Sequence, residues 1–175
     1  SRAKVAVVGS GPAGLSCAAE LAQAGVQVTV FEAREKIGGV LRYGVPRFRL
    51  NEEFLDRELK DIEKLGVKFR TKYRVKPGAL DKLLGKRFDA AFVATGLWKP
   101  YELKMPGSDL ANVSNATAFL EEARGKGRAK IRRMVNGKNV AVIGGGSVAM
   151  DVANTCKGLG ADKVYCICLE GMEEI

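Results

Sequence analysis

The most constraining feature of the 175-residue sequence is an internal duplication of a strand, a glycine-rich loop and a helix. An apolar run at residues 4–8 leads directly into Gly9-Ser-Gly11-Pro-Ala-Gly14, and a helical pattern of small residues follows. The same order returns at residues 139–143, which lead into Gly144-Gly-Gly146-Ser-Val-Ala149. Such self-similarity indicates two copies of one supersecondary unit. Each copy predicts a β-α-β unit whose two strands are parallel.

The spacing of the glycines has a chemical meaning. In a strand–loop–helix context, the first glycine permits a tight turn, and the second lets the backbone approach a pyrophosphate. The third allows close packing of helix and strand, and the helix N-terminus then favours an anion. Both loops are followed, about 20 residues on, by an acid, Glu32 and Glu170. The two loops therefore predict two dinucleotide-binding sites.

The two acids suggest which nucleotides bind. Glu32 can accept hydrogen bonds from a ribose diol. Glu170 would repel a 2′-phosphate and so favours NADH over NADPH, unless it faces solvent and Lys157 or Lys163 supplies positive charge. Two sites in this order suggest FAD first and a nicotinamide dinucleotide second. The protein then contributes positioning, and we predict no catalytic side chain.

The net charge of +9 favours anionic partners. No nucleic-acid-binding motif accompanies that charge, so we predict no nucleic acid partner. The positive charge is concentrated between Arg124 and Lys138, a stretch without any acid. We interpret this stretch as a solvated connector, with docking to an acidic partner as the alternative. No apolar run is long enough to predict a membrane span.

Four cysteines occur without histidine and without C-x-x-C spacing, so we predict no metal site. We interpret Cys17, Cys156, Cys166 and Cys168 as buried small hydrophobic residues. Free thiols are typical of a reducing compartment, so a cytoplasmic location is expected.

The remaining pattern predicts an α/β fold with parallel sheets. Helices are expected at 52–65, 80–84 and 116–124, short strands at 67–69, 73–75 and 90–93, and a turn-rich loop at 37–46. We predict a Rossmann-like FAD-binding domain at 1–106, a connector with a helix and the basic stretch at 107–137, and the start of a Rossmann-like NAD(P)-binding domain at 138–175. One β-α-β unit cannot bury both faces of its sheet, so the last segment is expected to need neighbours.

Several motifs together resemble a known family. The first glycine loop with Glu32, Gly38-Gly39 and Ala94-Thr95-Gly96 is similar to the two-dinucleotide-binding flavoprotein superfamily. Residues 43–50, Tyr-Gly-Val-Pro-Arg-Phe-Arg-Leu, and residues 144–151, Gly-Gly-Gly-Ser-Val-Ala-Met-Asp, resemble signatures of the glutamate synthase small (beta) subunit. Similar signatures occur in flavoprotein parts of dihydropyrimidine dehydrogenase and of NADH-dependent ferredoxin:NADP oxidoreductase.

The resemblance implies a function in electron input. NADH or NADPH would deliver hydride to FAD, and electrons would leave through iron–sulfur clusters that lie outside this chain segment. The partner would be an iron–sulfur protein or a larger redox subunit in a hetero-oligomer. The candidate cofactor-binding residues are Gly9, Gly11, Pro12, Ala13, Gly14, Glu32, Ala33, Gly38, Gly39, Leu41, Gly44, Val45, Arg49, Ala94, Thr95, Gly96, Gly144, Gly146, Ser147, Val148, Ala149, Asp151 and Glu170.

The sequence departs from that family in three ways. Cys168-Leu169-Glu170 stands where the family has Tyr-Arg-Arg, which agrees with a preference for NADH. Residues 40–50 contain no cysteine, so disulfide reductase activity is not expected. The chain is also shorter than the family, so we expect a fragment or one subunit of a complex. Alternative functions are a non-catalytic nucleotide-binding or assembly module and a flavin monooxygenase or amine oxidase. The second loop and residues 43–50 disfavour the oxidase.

Overall fold

The computed structural model describes residues 2–85, 87–100 and 103–169, which divide into two compact units. Unit 1 comprises Ser1–Arg42 and Leu50–Leu97, and unit 2 comprises Tyr43–Arg49 and Trp98–Ile175. Both units contain a parallel sheet with helices, so the predicted α/β, Rossmann-like class is confirmed. The predicted domain boundaries at 106 and 137 stay predictions.

The sheet of unit 1 has four parallel strands. They are β1 (Lys4–Val8), β2 (Gln27–Phe31), β3 (Lys68–Arg70) and β4 (Ala90–Val93), in the order β3-β2-β1-β4. Four of the five β1 residues are buried, which explains why β1 is a continuous apolar run rather than an alternating one. A central strand buried on both faces fixes the carboxyl end of β1 in the middle of the sheet edge.

Helices cover this sheet. Unit 1 contains α1 (Pro12–Gln23), α3 (Glu52–Lys64) and α4 (Leu80–Leu83), and α2 (Gly39–Tyr43) precedes α3 in the chain. Ala18 of α1 is fully buried against Val7 and Val30 of the strands. Leu55 and Leu59, one helical turn apart on α3, pack in a cluster with Leu15 of α1. This packing fixes where α1 begins relative to β1.

Unit 2 contains the second β-α-β unit. Its elements are α5 (Ala116–Arg124), α6 (Arg128–Val135), β5 (Asn139–Ile143), α7 (Ser147–Gly158) and β6 (Lys163–Ile167), with β5 and β6 parallel. One face of the sheet joins a core that includes Phe119, Ile131, Val142 and Cys156. On the other face Ile143, Tyr165 and Ile167 are each more than half exposed. The second β-α-β unit thus leaves one face of its sheet exposed, as expected for a unit of two strands and one helix.

Some local predictions were wrong. The basic stretch interpreted as a solvated connector contains α6, whose Ile131 and Val135 are buried. The turn-rich loop contains α2. Residues 73–75 form no strand, and the Tyr73 ring packs on Phe31 with centroids 5.0 Å apart. Cys156 is buried as predicted, but Cys17 and Cys168 are only partly buried and Cys166 is exposed on β6. In the described ranges, no helix has the length and apolar character needed to cross a bilayer.

The core position of α6 can be tested by substitution. Ile131 is 2% exposed, so Ile131→Ala should leave a cavity and lower the free energy of unfolding by about 2–4 kcal/mol. Met134→Ala on the same helix is the matched control, since Met134 is 39% exposed and should cost less than about 1 kcal/mol. Urea denaturation measures both. Equal effects would mean that α6 does not pack as described.

Candidate functional site: two glycine loops at the ends of parallel strands

The first glycine loop lies where three strands of unit 1 end together. The Gly9 amide donates to the Phe31 carbonyl oxygen (2.8 Å), and the Ala94 amide donates to the Val8 carbonyl oxygen (2.8 Å). These bonds align the carboxyl ends of β1, β2 and β4. The predicted loop, Glu32 and the Ala94-Thr95-Gly96 segment therefore share one sheet edge, where open α/β sheets bind ligands.

Two of the three glycines are required by the fold itself. Gly9 has φ of +106°, and a Cβ there would overlap the Ala94 carbonyl oxygen. A Cβ at Gly14 would overlap the Gly9 carbonyl oxygen, although Gly14 lies within α1. Helix α1 can start this close to β1 only because both positions lack a side chain.

Gly11 is different, because no contact within the described ranges requires a glycine there. Its φ is −73°, which any residue adopts, and no atom of the described residues lies within 4 Å of where its Cβ would be. Gly11 is also the N-cap of α1 and supplies no side-chain hydrogen bond to the helix. The start of α1 therefore has no capping side chain and has open space beside Gly11, an arrangement that suits an anion.

Glu32 is held by a buried network. Its Oε2 accepts from the Ser10 amide (3.2 Å) and from the Ser10 hydroxyl, and its Oε1 accepts from the Arg34 amide (2.7 Å). The Ser10 hydroxyl also accepts from the Gly38 amide (3.1 Å). A carboxylate has about four acceptor positions, so one is left for a ligand. Glu32 thus fixes the loop geometry and retains limited capacity for a ribose hydroxyl.

The Gly38-Gly39 segment packs onto the same loop. A Cβ on Gly39, whose φ is +51°, would lie 2.6 Å from the Gly11 Cα. Arg42, which is 7% exposed, donates through Nε to the Ile37 carbonyl oxygen (2.7 Å) and pairs with Asp56 of α3. The Arg42 side chain therefore anchors α2 beside the loop.

Sequence reasoning missed two residues of this site, Ser10 and Arg42. Ser10 is fully buried at the centre of the Glu32 network, and Arg42 joins α2 to α3. Two features of the sequence could have indicated these residues. Ser10 is a hydroxyl residue between two loop glycines, and Arg42 precedes a helix that begins with acidic residues. The other predicted residues of unit 1 lie at the edge: Pro12, Ala13, Thr95 and Gly96 are exposed, and Ala33, Leu41 and Ala94 are partly buried.

The second loop repeats the first within unit 2. Gly144 has φ of +123°, and Gly146 caps α7 with φ −74° and ψ 173°, against −73° and −177° for Gly11. Among the residues that the structure describes, no atom lies within 4 Å of a Cβ placed on Gly146, and Gly146 makes no side-chain cap. A Cβ on Gly144 would lie 3.7 Å from that of Ala149, so this turn is wide enough for the alanine that replaces a third glycine.

Unit 2 also contains predicted residues from another part of the sequence. Gly44, Val45 and Arg49 belong to it, and Arg49 pairs with Asp151 of α7, whose side chain is 11% exposed. The two residues are therefore partners of each other, which sequence spacing could not show. Ser147 and Val148 form the first turn of α7 and are exposed. Glu170 lies outside the described residues.

A family comparison identifies the chain. The model of the pyridine nucleotide-disulphide oxidoreductase family matches residues 3–172, and both glycine loops fall within this range. The chain belongs to this family. It is an oxidoreductase family, and the resemblance drawn from residues 43–50 and 144–151 is confirmed by curated relatives of the predicted kind.

Two curated relatives illustrate the similarity. The glutamate synthase [NADPH] small chain of Mycobacterium tuberculosis is 39% identical over 171 residues, covering 92% of this chain and 35% of the relative. The NAD-dependent dihydropyrimidine dehydrogenase subunit PreT of Escherichia coli is 38% identical over 172 residues, covering 98% of this chain and 40% of the relative. The chain thus spans less than half the length of either relative.

A solved structure supports the fold. FprA from Mycobacterium tuberculosis superposes with a TM-score of 0.76 at 24% identity, covering 95% of this chain and 43% of FprA. At that identity the likeness establishes the fold alone.

The cysteines show how this chain relates to the disulphide chemistry in the family's name. Burial raises the pKa of the Cys17 thiol, and burial raises the pKa of Cys156 to about 11. A thiol with a raised pKa holds little thiolate at neutral pH and is a weak nucleophile. Neither residue therefore has the properties of a redox-active cysteine.

The distinct roles of Gly14 and Gly11 predict a large loss of stability on substitution of the first and almost none on substitution of the second. Gly14→Ala should lower the free energy of unfolding of the nucleotide-free protein by about 1–3 kcal/mol, because its Cβ overlaps a backbone oxygen. Gly11→Ser should change it by less than about 0.5 kcal/mol, because serine is a good N-cap and has open space there. Denaturation of both variants checks this. A large loss in Gly11→Ser would show that the protein itself needs that glycine.

Proposed function

We propose that unit 1 binds FAD, that unit 2 binds a nicotinamide dinucleotide, and that the chain is a flavoprotein oxidoreductase module. In this proposal hydride passes from NAD(P)H to FAD, and electrons continue to the iron–sulfur clusters of a partner subunit. Membership of the pyridine nucleotide-disulphide oxidoreductase family supports the redox assignment.

One observation is the basis of the proposal. Gly11 and Gly146 are glycines although no contact within the described residues requires a glycine at either position. Both adopt ordinary extended backbone, both cap a helix without a side-chain bond, and both border open space. Ser, Asp or Asn would cap either helix at least as well as glycine does. The bare glycine at two equivalent junctions therefore supports two sites for a diphosphate, where a side chain would be in the way.

The residues of unit 1 fit FAD. The amides of the first α1 turn would receive the pyrophosphate, and the remaining acceptor position of Glu32 would receive a ribose hydroxyl. The exposed Thr95 and Gly96 lie on the same sheet edge. When bound, FAD would supply the ability to take a hydride and release electrons singly. The protein's own task is to hold the two nucleotides in place.

The names of the relatives support a role within a complex. One is called a small chain of glutamate synthase and the other a subunit of dihydropyrimidine dehydrogenase. We therefore propose that this chain also works with a partner subunit that carries iron–sulfur clusters, and in the cytoplasm, as its free cysteines suggest.

Anaerobic reduction is the direct test of the proposed activity. The purified full chain, reconstituted with FAD, should retain the flavin through gel filtration, and NADH should bleach the flavin absorption without oxygen. A protein that binds both nucleotides but leaves the flavin oxidised would support the non-catalytic module instead. A protein that retains no flavin would contradict the proposal at the first loop.

Matched serine variants separate the two nucleotide sites. Gly11→Ser should lower FAD affinity at least about tenfold, because its hydroxymethyl group occupies the space of the pyrophosphate. Gly146→Ser should leave flavin content unchanged and lower affinity for the nicotinamide dinucleotide by a similar factor. Equilibrium dialysis with each nucleotide measures both effects. Identical losses of both nucleotides in either variant would contradict the assignment of one site to each unit.

Glu170 tests the choice of nicotinamide nucleotide. The two relatives carry NADPH and NAD in their names, so the similarity does not decide between them. We propose NADH, because a carboxylate at this position would repel a 2′-phosphate. Glu170→Arg should shift the ratio of kcat/KM for NADPH over NADH at least about tenfold toward NADPH, a change of about 1.4 kcal/mol. An unchanged ratio would show that Glu170 does not contact the nucleotide.

A further inference from the structure

The basic stretch of the sequence forms a defined surface in unit 2. Arg128 and Arg132 are four residues apart on α6 and therefore lie on one face of the helix. The buried face of the same helix contains Ile131 and Val135. Helix α6 is thus fixed to the core on one side and presents cations on the other.

These cations border a depression of about 300 Å³. Its lining consists of Arg128, Arg132, Lys157, Gly158, Leu159 and Gly160. Leu159 is 4% exposed and is the buried apolar residue of this lining, whereas the three cationic residues are exposed. The Lys157 ammonium donates to the Asp162 carbonyl oxygen (2.9 Å), which fixes its side chain at the end of α7.

The charge of the depression is uncompensated within the part of the chain that the structure describes. Lys130, on another face of α6, pairs with Glu122 at 3.1 Å. Within the described ranges, neither the Arg128 nor the Arg132 guanidinium pairs with a carboxylate, and no acid lines the depression. Like charges one helical turn apart repel, so a bound anion would relieve a cost that the isolated unit bears.

The depression is separate from the second glycine loop. It adjoins the last residues of α7, whereas Gly146 caps the first, and a helix of 12 residues is about 18 Å long. In a β-α-β unit this is the edge at which strands begin, opposite the edge that binds nucleotides. The cations therefore serve some purpose other than the proposed dinucleotide site.

The surroundings favour a protein segment over a small anion. The amides of Leu159 and Gly160 are both used, donating to carbonyl oxygens of residues 155–157, so neither of these two amides is available to hold a phosphate. On the α7 side of the depression, the negative end of the helix dipole disfavours a compact, highly charged ligand. Carboxylates spaced along a chain can each reach one exposed cation while staying clear of the helix carbonyls.

We propose that the Arg128–Arg132–Lys157 surface docks an acidic segment of a partner protein. The guanidiniums of α6 and the Lys157 ammonium would each meet a carboxylate of that segment. This docking is independent of nucleotide binding, so it can fail while the proposed redox function stands, and the reverse also holds.

A labelled poly-L-glutamate peptide and the full chain provide the test. Fluorescence anisotropy at low ionic strength should show binding that weakens with added salt, since exposed charges are screened. Arg128→Glu with Arg132→Glu should weaken binding at least about tenfold. The control, Lys60→Glu with Lys82→Glu, changes net charge equally at exposed sites of unit 1 and should alter binding less than about twofold.

Glutamine variants separate the loss of positive charge from the gain of negative charge. Arg128→Gln with Arg132→Gln avoids new negative charge and should still weaken binding while leaving the thermal unfolding midpoint nearly unchanged, because both side chains are exposed. Equal weakening in the lysine control would mean that net charge alone attracts the peptide and would overturn a defined surface. Failure of the peptide to bind, or binding of pyrophosphate at this surface in its place, would also overturn docking of an acidic protein segment.

Discussion

The structure of unit 1 depends on one close approach, between the carbonyl of Gly9 and the Cα of Gly14. No side chain could stand at position 14 without striking that oxygen, so α1 begins almost on top of β1. This approach determines what surrounds the start of the helix. The Ala94 carbonyl abuts Gly9, Gly39 abuts Gly11, and the Glu32 carboxylate reaches Ser10. Together these contacts bring segments that are far apart in the sequence to one edge of the sheet.

Unit 2 reaches the same helix start by a looser route. Ala149 replaces the third glycine, and its methyl group would only touch a side chain on Gly144. Even so, the caps of α1 and α7 agree in φ within about one degree. The two units therefore share the geometry of the helix start and not the tightness of the turn. That geometry would admit other residues at positions 11 and 146, so the backbone does not explain the glycines, which fit the proposed close approach of a diphosphate.

The sequence predicted the parts of the fold that are governed by local pattern. β1 and β5 are apolar runs that lead into glycine loops, and both lie where expected. Helix α6 was not predicted because most of its residues are polar. Its two core residues, Ile131 and Val135, can be recognised only once the helices against which they pack are known. Ser10 and the Arg49–Asp151 pair were missed as contacts for a related reason: their partners lie 22 and 102 residues away. Neither composition nor residue spacing indicates which residues so far apart in the sequence come into contact.

The network around Glu32 changes how the acid at the end of β2 should be understood. If the carboxylate served only a ribose, its oxygens would face the open edge, yet three protein donors already occupy them and the residue is 7% exposed. Its first role is to brace Ser10, and through the Ser10 hydroxyl to hold Gly38 against the loop. A ligand hydroxyl would complete this shell with little rearrangement. If unit 1 binds a nucleotide as proposed, the same carboxylate would link the shape of the glycine loop to the presence of a ribose, and each half of the nucleotide would favour the binding of the other.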